Sequence, residues 1–378
     1  MANTERHKHH GESSASLPLV DAGGSFRPES TRKANTFYVG DAPLQAQTQP
    51  PTGEHIEFLG ETYYCIRHYD QMPPFFMSLV SSSDHWLFIS STGGLTAGRQ
   101  DADSALFPYE TDDKIAAHSE KAGPKILLRV REDGHERLWE PFSQRYAGLY
   151  RIARNLYKNS VGNKLVFEEI NHDLGLTYRY AWQTSDRFGF VKSSWLQNTG
   201  NNQQAITLLD GLQNVLPFGA TQRLQTSFSN LLNAYKRNEL DPATGLGIFA
   251  LSATLTDRAE PSESLKATVV WQQGLPAAGY LLCGDQIDGF RYGREITTEY
   301  DVVGKPGAYF VQSSFDLPPG DVRHWQIVAD VSQDSAAVVR LQRLLQGSPA
   351  EVAASLHEDI DQGTRDLVKY VASADGLA

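Results

Sequence analysis

Cysteine is scarce in this chain, with only Cys65 and Cys283 in 378 residues. Two cysteines are too few for the disulfide framework on which small secreted domains depend. Both lie among apolar or aromatic neighbours, where a free thiol behaves as a small hydrophobic side chain. We therefore expect buried free thiols in a reducing compartment, and a single long-range disulfide remains the alternative.

Basic residues are also few, since 34 Lys and Arg stand against 45 Asp and Glu and leave a formal net charge of -11. Binding to a phosphate backbone requires clustered Lys and Arg, so we predict no nucleic-acid partner. The first residues lack the apolar run of a signal peptide, and no later stretch has the length of a membrane span. These absences predict that no membrane is bound and that the location is cytoplasmic.

The N-terminal stretch has little periodic apolar character. Residues 1–52 are rich in Gln, Pro, Ser, Thr and Gly, which predicts a disordered extension that ends in a linker. His7, His9 and His10 are metal-binding residue types, but their polar surroundings favour a tail, so we expect neither a metal nor a cofactor. Residues 53–332 are long enough for one large β domain, because sandwiches of about 200 to 250 residues form single units.

The pattern within 53–332 is that of strands. Apolar and polar residues alternate most clearly in 177–182, where three aromatic side chains fall on one face, and in 324–329. Turn signals rich in Gly, Pro, Asn and Asp separate the strands. The remaining runs with strand character are 125–131, 164–170, 188–197, 205–216, 247–256 and 264–271. Many strands with few helices between them predict a mainly β fold, a large antiparallel β-sandwich.

Two segments depart from this pattern. Residues 227–240 read as a short surface helix. Residues 333–378 read as two helical segments, and the second begins with Ser348 as N-cap and Pro349 at the first helical position. We interpret 333–378 as a helical linker that follows the sandwich.

The stretch from Pro73 to Asp113 is the most distinctive part of the chain. It reads PPFFMSLVSSSDHWLFISSTGGLTAGRQDADSALFPYETDD, with two apolar runs, an Asp-His-Trp step, a Gly-Gly turn and a Pro-Tyr-x-x-Asp-Asp turn. It resembles the opening of the N-terminal β-sandwich of glycoside phosphorylases of the cellobiose phosphorylase type. The likeness continues as an ordered series of short motifs over roughly residues 55 to 330. These motifs are Trp139-x-Pro141, Arg145, Tyr157, Gly162, Asn198-Thr199-Gly200 and LLDGLQNVLPFG from Leu208 to Gly219.

The resemblance implies a fold and a role. The fold is a galactose-mutarotase-like sandwich, and the role is that of the non-catalytic, carbohydrate-binding or structural N-terminal region of a glycoside phosphorylase-like enzyme. In that family the sandwich packs on an (α/α) barrel, shapes the mouth of the active site and helps to build a homodimer. The implied reaction is inverting phosphorolysis of a β-linked saccharide. Since the sequence stops where that barrel would begin, we expect the family's general acid to be missing from this chain.

Sugar-binding sites combine an aromatic face with polar groups for the hydroxyls, and the Pro73–Asp113 stretch offers both. Asp84, His85 and Trp86 are adjacent, and the alternative is that Trp86 fills the core while His85 points to the opposite face. Asp112 and Asp113 are the second group, and the alternative is a solvated turn. The substrate-binding residues predicted by these arguments are Asp84, His85, Trp86, Arg99, Tyr109, Asp112 and Asp113.

Other constellations point to different classes of function. Glu168, Glu169, His172 and Asp173 are metal-ligating or acid/base residue types. The alternative is that strand alternation sends the two glutamates in and out of the sheet, while His172 faces water in the following hairpin turn. A self-sufficient epimerase or lyase would need a His and a Glu or Tyr on one face, and the candidate His residues are His85, His172 and His324. A carbohydrate-binding module would stack sugars on Tyr178, Tyr180 and Trp182, although three aromatics on one face of a strand favour core.

The last helical segment carries an apolar stripe formed by Val352, Leu356 and Ile360, to which Leu367, Val368 and Val371 add. If the absent barrel is its partner, the stripe is exposed in this chain, and the segment should fray, fold back on the sandwich or drive self-association. We then expect fast amide exchange after Ser348 and little loss of stability on deletion. Asp186-Arg187 and residues 257–261 resemble loop ion pairs, which contribute little to stability. The alternative is that Arg187 or Arg258 is held by two acids at a domain interface and orders it.

Overall fold

Antiparallel strands dominate the computed structural model, which describes residues 36–45, 48–58, 60–132, 134–253 and 265–375. His7, His9, His10 and residues 257–261 lie outside the described residues. The chain divides into two units, of which the first ends at Pro43 and contains a two-stranded hairpin.

The strands are β1 (Tyr38–Val39), β2 (Ala42–Pro43), β3 (Thr52–Phe58), β4 (Glu61–Arg67), β5 (Phe76–Leu79), β6 (His85–Ser90), β7 (Leu95–Arg99), β8 (Ala105–Phe107), β9 (Gly123–Glu132), β10 (His135–Trp139), β11 (Ile152–Asn159), β12 (Leu165–Asn171), β13 (Leu176–Ser185), β14 (Gly189–Asn198), β15 (Gln204–Val215), β16 (Lys236–Asp241), β17 (Leu246–Leu251), β18 (Lys266–Gln273), β19 (Gly279–Leu281), β20 (Asp301–Val303), β21 (Gly307–Leu317) and β22 (Val322–Asp334). The helices are α1 (Asp112–Ala117), α2 (Gln222–Ser227), α3 (Ser229–Tyr235), α4 (Ile287–Arg291), α5 (Ser335–Leu345) and α6 (Pro349–Asp375), with one 3-10 turn at Tyr69–Gln71.

The second unit contains three sheets. The largest has eleven strands in the order β20-β16-β17-β18-β22-β14-β13-β12-β11-β4-β3, a second has five in the order β10-β9-β15-β21-β19, and a third has four in the order β5-β6-β7-β8. Side chains from all three meet in one hydrophobic core, which includes Leu128, Leu208, Phe167 and Leu87. This arrangement confirms the mainly β fold and the antiparallel sandwich predicted from strand alternation.

The three aromatic residues of β13 lie in that core. Tyr178, Tyr180 and Trp182 are buried, and the ring of Tyr180 stacks on Phe167 with centroids 5.0 Å apart. The prediction that they form core is confirmed, and the stacking-platform hypothesis for these residues is wrong because sheet packing leaves no ring face for a sugar. Cys65 and Cys283 are buried free thiols, as expected.

The predicted helix at 227–240 is only partly right. The helical part is split into α2 and α3 and ends at Tyr235, and residues 236–241 form strand β16. This strand pairs with β17 through a turn in which Thr244 donates a hydrogen bond to Asp241 at 2.7 Å. The hairpin buries Lys236, Asn238 and Leu240 in alternation, and this long-range packing overrides local helix propensity.

Most of the apolar stripe of α6 is buried, so the expectation that it is exposed is wrong for Val352, Leu356, Ile360 and Leu367. Of the outcomes expected, the structure shows the fold-back on the sandwich, and only Val368 and Val371 of the predicted stripe are exposed. Val352, Leu356 and Ile360 pack on the face of the eleven-stranded sheet that carries Trp271 and Val328. None of the described helices combines the length and the apolar character needed to cross a lipid bilayer.

Candidate functional site

One polar row crosses the face of the eleven-stranded sheet that points away from the five-stranded sheet. Cross-strand pairing aligns side chains from β4, β11, β12, β13, β14 and β22, because directly opposed residues share a face. We call this set the outer row, and its members are Arg67, Asn155, Glu168, Arg179, Trp195 and His324. The alternate residues of the same strands, such as Phe167 and Leu196, face the core.

Glu168 is the buried centre of the outer row, and its side chain is fully engaged. Asn155 Nδ2 and Tyr157 Oη each donate to Glu168 Oε1 at 2.7 Å, and Arg179 Nε donates to Oε2. Burial, followed by the charge of Glu168, raises the pKa of Tyr157 well above its usual range. Phe58 of β3 stacks on Tyr157 with centroids 4.7 Å apart and lies 5.9 Å from the Arg179 guanidinium, so it covers the middle of the row.

The end of the outer row formed by Trp195 and His324 is accessible to solvent. The rings of Trp195 and His324 stack with centroids 5.1 Å apart and an interplanar angle of 25°. Trp195 is half-buried and His324 is exposed. Desolvation lowers the pKa of His324, so its ring is neutral near pH 7 although its edge meets solvent. A neutral imidazole can both donate and accept a hydrogen bond.

A second row lies directly beside the first and has small side chains at its centre. Ala181 pairs with Ser193, which is followed across the sheet by Gln326 and Gln273. Gln326 Nε2 donates to Ser193 Oγ at 3.0 Å, and Gln273 Nε2 donates to Gln326 Oε1. Among the described residues Gln273 Oε1 has no hydrogen-bond donor. The small side chains of Ala181 and Ser193 leave space beside Trp195, and the amide groups of Gln326 and Gln273 border that space.

The structure places the predicted substrate-binding residues on the four-stranded sheet and its loops, in separate arrangements. Arg99 Nε donates to Asp84 at 2.8 Å, Arg99 Nη1 contacts both oxygens of Asp330 at 3.2 Å, and Arg99 Nη2 reaches Asp186 at 3.4 Å. Arg99 therefore ties β7 to β22 and to the turn between β13 and β14. Partial burial would raise the pKa of Asp84, but Arg99 holds it below the usual value.

Asp330 behaves differently from Asp84. It is 4% exposed, and desolvation raises its pKa to about 6 despite the opposing charge of Arg99. A carboxyl group whose folded pKa exceeds the unfolded value of about 3.9 destabilises the fold as the pH rises from about 4 through 6.

We therefore expect the unfolding free energy of the wild type to fall relative to that of Asp330→Asn by about 2–3 kcal/mol between pH 4 and pH 7. Urea denaturation of both proteins at intervals of one pH unit checks this. Parallel stability profiles would show that Asp330 ionises in the folded state as easily as in the unfolded chain.

The remaining predicted residues divide between two faces. His85 points into the interior, where Ser83 Oγ lies 2.7 Å from Nδ1, and burial followed by repulsion from Arg99 lowers its pKa to about 3. Trp86 points the other way, is half-buried against the cluster under α2 and α3, and meets Tyr109 edge to face at 5.6 Å. The predicted alternation of Asp-His-Trp is thus observed, and the assignment of a sugar site to this stretch stays a prediction.

Asp112 and Asp113 occupy the first turn of α1 and are exposed. Asp113 accepts a hydrogen bond from Thr111 Oγ1 at 2.5 Å, and the amide of Asp113 donates to Asp112. These hydrogen bonds are local, so Asp112 and Asp113 stabilise the first turn of α1. The carboxylates have no contact with Trp86 or Arg99 among the hydrogen bonds and ion pairs of the described residues.

The carboxylates of β12 point to opposite faces of the sheet, as strand alternation predicted, and both are buried. Glu169, on the core side, accepts from Trp139 Nε1 at 2.8 Å, from the Phe142 amide at 2.7 Å and from Arg154 Nε at 2.8 Å. His172 is exposed in the following turn, as expected. In the described part of the chain no three His, Cys, Asp or Glu side chains are grouped as metal ligands would be.

Sequence reasoning identified His324 but missed Arg179, Trp195 and the glutamines beside them. Strand alternation gave no clear signal here, because one face of β14 carries Ser193, Trp195 and Gln197 while the opposite face also carries polar residues, Lys192 and Ser194. The juxtaposition of the missed residues depends on the order β12-β13-β14-β22, in which β22 is more than a hundred residues from β14 along the chain.

Comparison with known proteins finds no matching family model and no matching curated protein. Among solved structures, a polysaccharide lyase aligns with a TM-score of 0.41 and 12% identity over 73% of this chain and 34% of its own. A bacterial glucoamylase complexed with acarbose aligns with a TM-score of 0.38 and 8% identity, over 87% of this chain and 40% of the glucoamylase chain. A putative aldose 1-epimerase from Escherichia coli K12 aligns with a TM-score of 0.39 and 11% identity, over 69% of this chain and all of the epimerase chain. This chain thus spans well under half of the lyase and glucoamylase chains, and similarity at this level assigns no function.

Proposed function

We propose that this chain is a carbohydrate-binding sandwich domain and that an oligosaccharide lies across the accessible end of the outer row. The observation that carries the proposal is the stacked pair Trp195–His324, set beside Arg179 and a border of glutamine amides. An aromatic face can cover the apolar C–H surface of a sugar, while amide and guanidinium groups meet its hydroxyls.

The charge of this region supports a neutral ligand. Glu168 neutralises Arg179, whose Nη1 also donates to Gln197 Oε1 at 3.2 Å, and the glutamines are uncharged. Sugar hydroxyls both donate and accept hydrogen bonds, as amides and a neutral imidazole do. Arg179 and His324 are two strand spacings apart, or about 10 Å, which is room for more than one sugar ring.

The finer part of the proposal is that the chain is the non-catalytic N-terminal region of a glycoside phosphorylase-like enzyme that acts on β-linked saccharides. The ordered motif series between residues 55 and 330 supports it. Exposed apolar side chains on the last turns of α6, namely Val368, Tyr370 and Val371, offer a contact surface for a catalytic barrel or a second subunit. Release of sugar 1-phosphate from cellobiose by the purified chain would contradict this part.

A sugar epimerase on the same face has weaker support. Acid/base catalysis requires both groups within hydrogen-bond reach of the reacting atoms. Glu168 and His324 are three strand spacings apart, or about 14 Å, and the oxygens of Glu168 already accept from Asn155, Tyr157 and Arg179. Binding without turnover is therefore the better reading of this geometry.

We expect Trp195→Ala to weaken oligosaccharide binding about 10- to 100-fold, because buried aromatic contacts dominate recognition energies. Isothermal titration calorimetry with cellotetraose, laminaritetraose and chitotetraose measures this. Tyr292→Ala is the matched control, since Tyr292 is 84% exposed and follows α4, which packs on the five-stranded sheet. Equal affinity for Trp195→Ala and wild type, at equal melting temperature, would rule out the outer row.

A further inference from the structure

Helix α5 leaves a cavity where it packs on the eleven-stranded sheet. The cavity has a volume of about 290 Å³ and lies between α5, the strands β18 and β22, and the turn that joins β13 to β14. Its walls combine apolar side chains with polar ones, and the apolar part includes Phe188, Val269, Trp271, Leu341 and Leu344. It lies at the small end of the range for ligand pockets, which suits a ligand with one apolar ring system.

Two arginines line this cavity, and in the described part of the chain neither forms an ion pair with a carboxylate. Arg187 Nη1 donates to Ser355 Oγ at 3.0 Å, and its guanidinium lies 4.8 Å from the centre of the Phe188 ring. Arg340 is exposed, and among the described residues no carboxylate forms an ion pair with it. By contrast, Arg154 and Arg291 are paired with buried glutamates elsewhere in this acidic chain.

The one acidic side chain that lines the cavity is already compensated. Both oxygens of Asp330 accept from Arg99, and Gln333 Nε2 donates to it at 2.8 Å. Asp359, on α6, accepts from the Arg187 amide and from Ser185, not from the Arg187 guanidinium. The guanidinium groups of Arg187 and Arg340 therefore leave positive charge beside an apolar space.

We propose that this cavity binds a small amphipathic anion, with an aromatic or branched alkyl body between Trp271 and α5 and with a carboxylate or sulfonate held by Arg187 and Arg340. Arginine suits this role because its planar fork matches a carboxylate and stays charged. The site lies under α5, away from the outer row, so it is independent of the proposed sugar site.

The test compares 2-naphthoate with its uncharged analogue 2-naphthamide by isothermal titration calorimetry on the full chain. We expect the wild type to bind naphthoate at least tenfold more tightly than naphthamide. Arg187→Gln/Arg340→Gln is expected to lower naphthoate affinity at least tenfold at unchanged melting temperature. The matched control Arg223→Gln, on the exposed face of α2, is expected to change nothing.

A second variant tests the apolar part of the site. Ala337 lines the cavity from α5, and Ala337→Phe places a ring in the space, so naphthoate binding is expected to be lost while oligosaccharide affinity is retained. The proposal is overturned if naphthoate does not bind at millimolar concentration, if naphthamide binds equally well, or if the double arginine variant keeps wild-type affinity.

Discussion

Replacing Asp210 with Ala is expected to lower the free energy of unfolding by about 3–5 kcal/mol, because it leaves the buried ammonium group of Lys192 without a counter-ion. Lys192 Nζ and Asp210 Oδ1 are 2.5 Å apart, and the two side chains are 1% and 0% exposed. Trp325 Nε1 donates to Asp210 Oδ2 at 2.6 Å, so the variant also leaves a buried indole N–H without an acceptor. Urea denaturation of wild type and variant measures the difference.

The pH dependence of Asp210→Ala distinguishes lost charge pairing from lost packing. Burial lowers the pKa of Lys192, and Asp210 opposes that shift. Without Asp210 the pKa of Lys192 falls further, so the folded state binds fewer protons than the unfolded state and stability rises with pH. The deficit of the variant is therefore expected to shrink between pH 6 and pH 9, and a deficit independent of pH would indicate a packing defect.

The control for this pair is the double variant Lys192→Met/Asp210→Leu. Replacing both partners of a buried ion pair with apolar groups is often neutral or stabilising. We expect the double variant to recover most of the stability that Asp210→Ala loses. A single variant that costs less than about 1 kcal/mol would mean that Lys192 reaches water and that the interior is less closely packed than described.

Leu356→Ala in α6 is expected to cost about 2–5 kcal/mol, as truncation of a buried leucine does. Leu356 is 0% exposed and packs in one cluster with Val191, Trp271 and Val328 of the sheet. Polar contacts hold the helix on both sides of Leu356, from Arg187 Nη1 to Ser355 at 3.0 Å and from Asn163 to Thr364 at 2.8 Å. Chemical denaturation measures the cost.

The matched control is Val371→Ala, since Val371 is 50% exposed on the same helix and its truncation is expected to change stability by less than about 0.5 kcal/mol. Amide exchange of 352–360 is expected to be as slow as that of the neighbouring strands. Fast exchange there, together with an unchanged stability for Leu356→Ala, would support a loosely attached linker.

The local sequence pattern was sufficient to predict the strands and the core residues of β13. The alternation in 177–182 predicted that Tyr178, Tyr180 and Trp182 share a face, and the structure buries all three. The same alternation predicted opposite directions for His85 and Trp86, which the structure also shows. Period-2 patterning works here because successive side chains of a strand must point to opposite faces.

The predictions that failed were those that depend on which distant part of the chain packs against a given side chain. The stripe of Val352, Leu356 and Ile360 was visible, but periodicity does not say which surface covers it. Alternation placed Glu168 and Glu169 on opposite faces, but it did not show that Phe58 from β3 and Arg179 from β13 cover the face that carries Glu168. The outer row escaped prediction because its members come from strands whose neighbours are set by long-range topology.

The most direct test of the outer row uses the chain labelled with 5-fluorotryptophan and observed by ¹⁹F NMR during titration with the tightest-binding oligosaccharide of the three. Substitution to Phe assigns the resonances of Trp195 and Trp86. If the sugar lies on the outer row, the Trp195 resonance shifts to saturation and the Trp86 resonance stays in place. A shift of Trp86 with Trp195 unchanged would move the site to the four-stranded sheet, and the absence of any binding would contradict the proposed function.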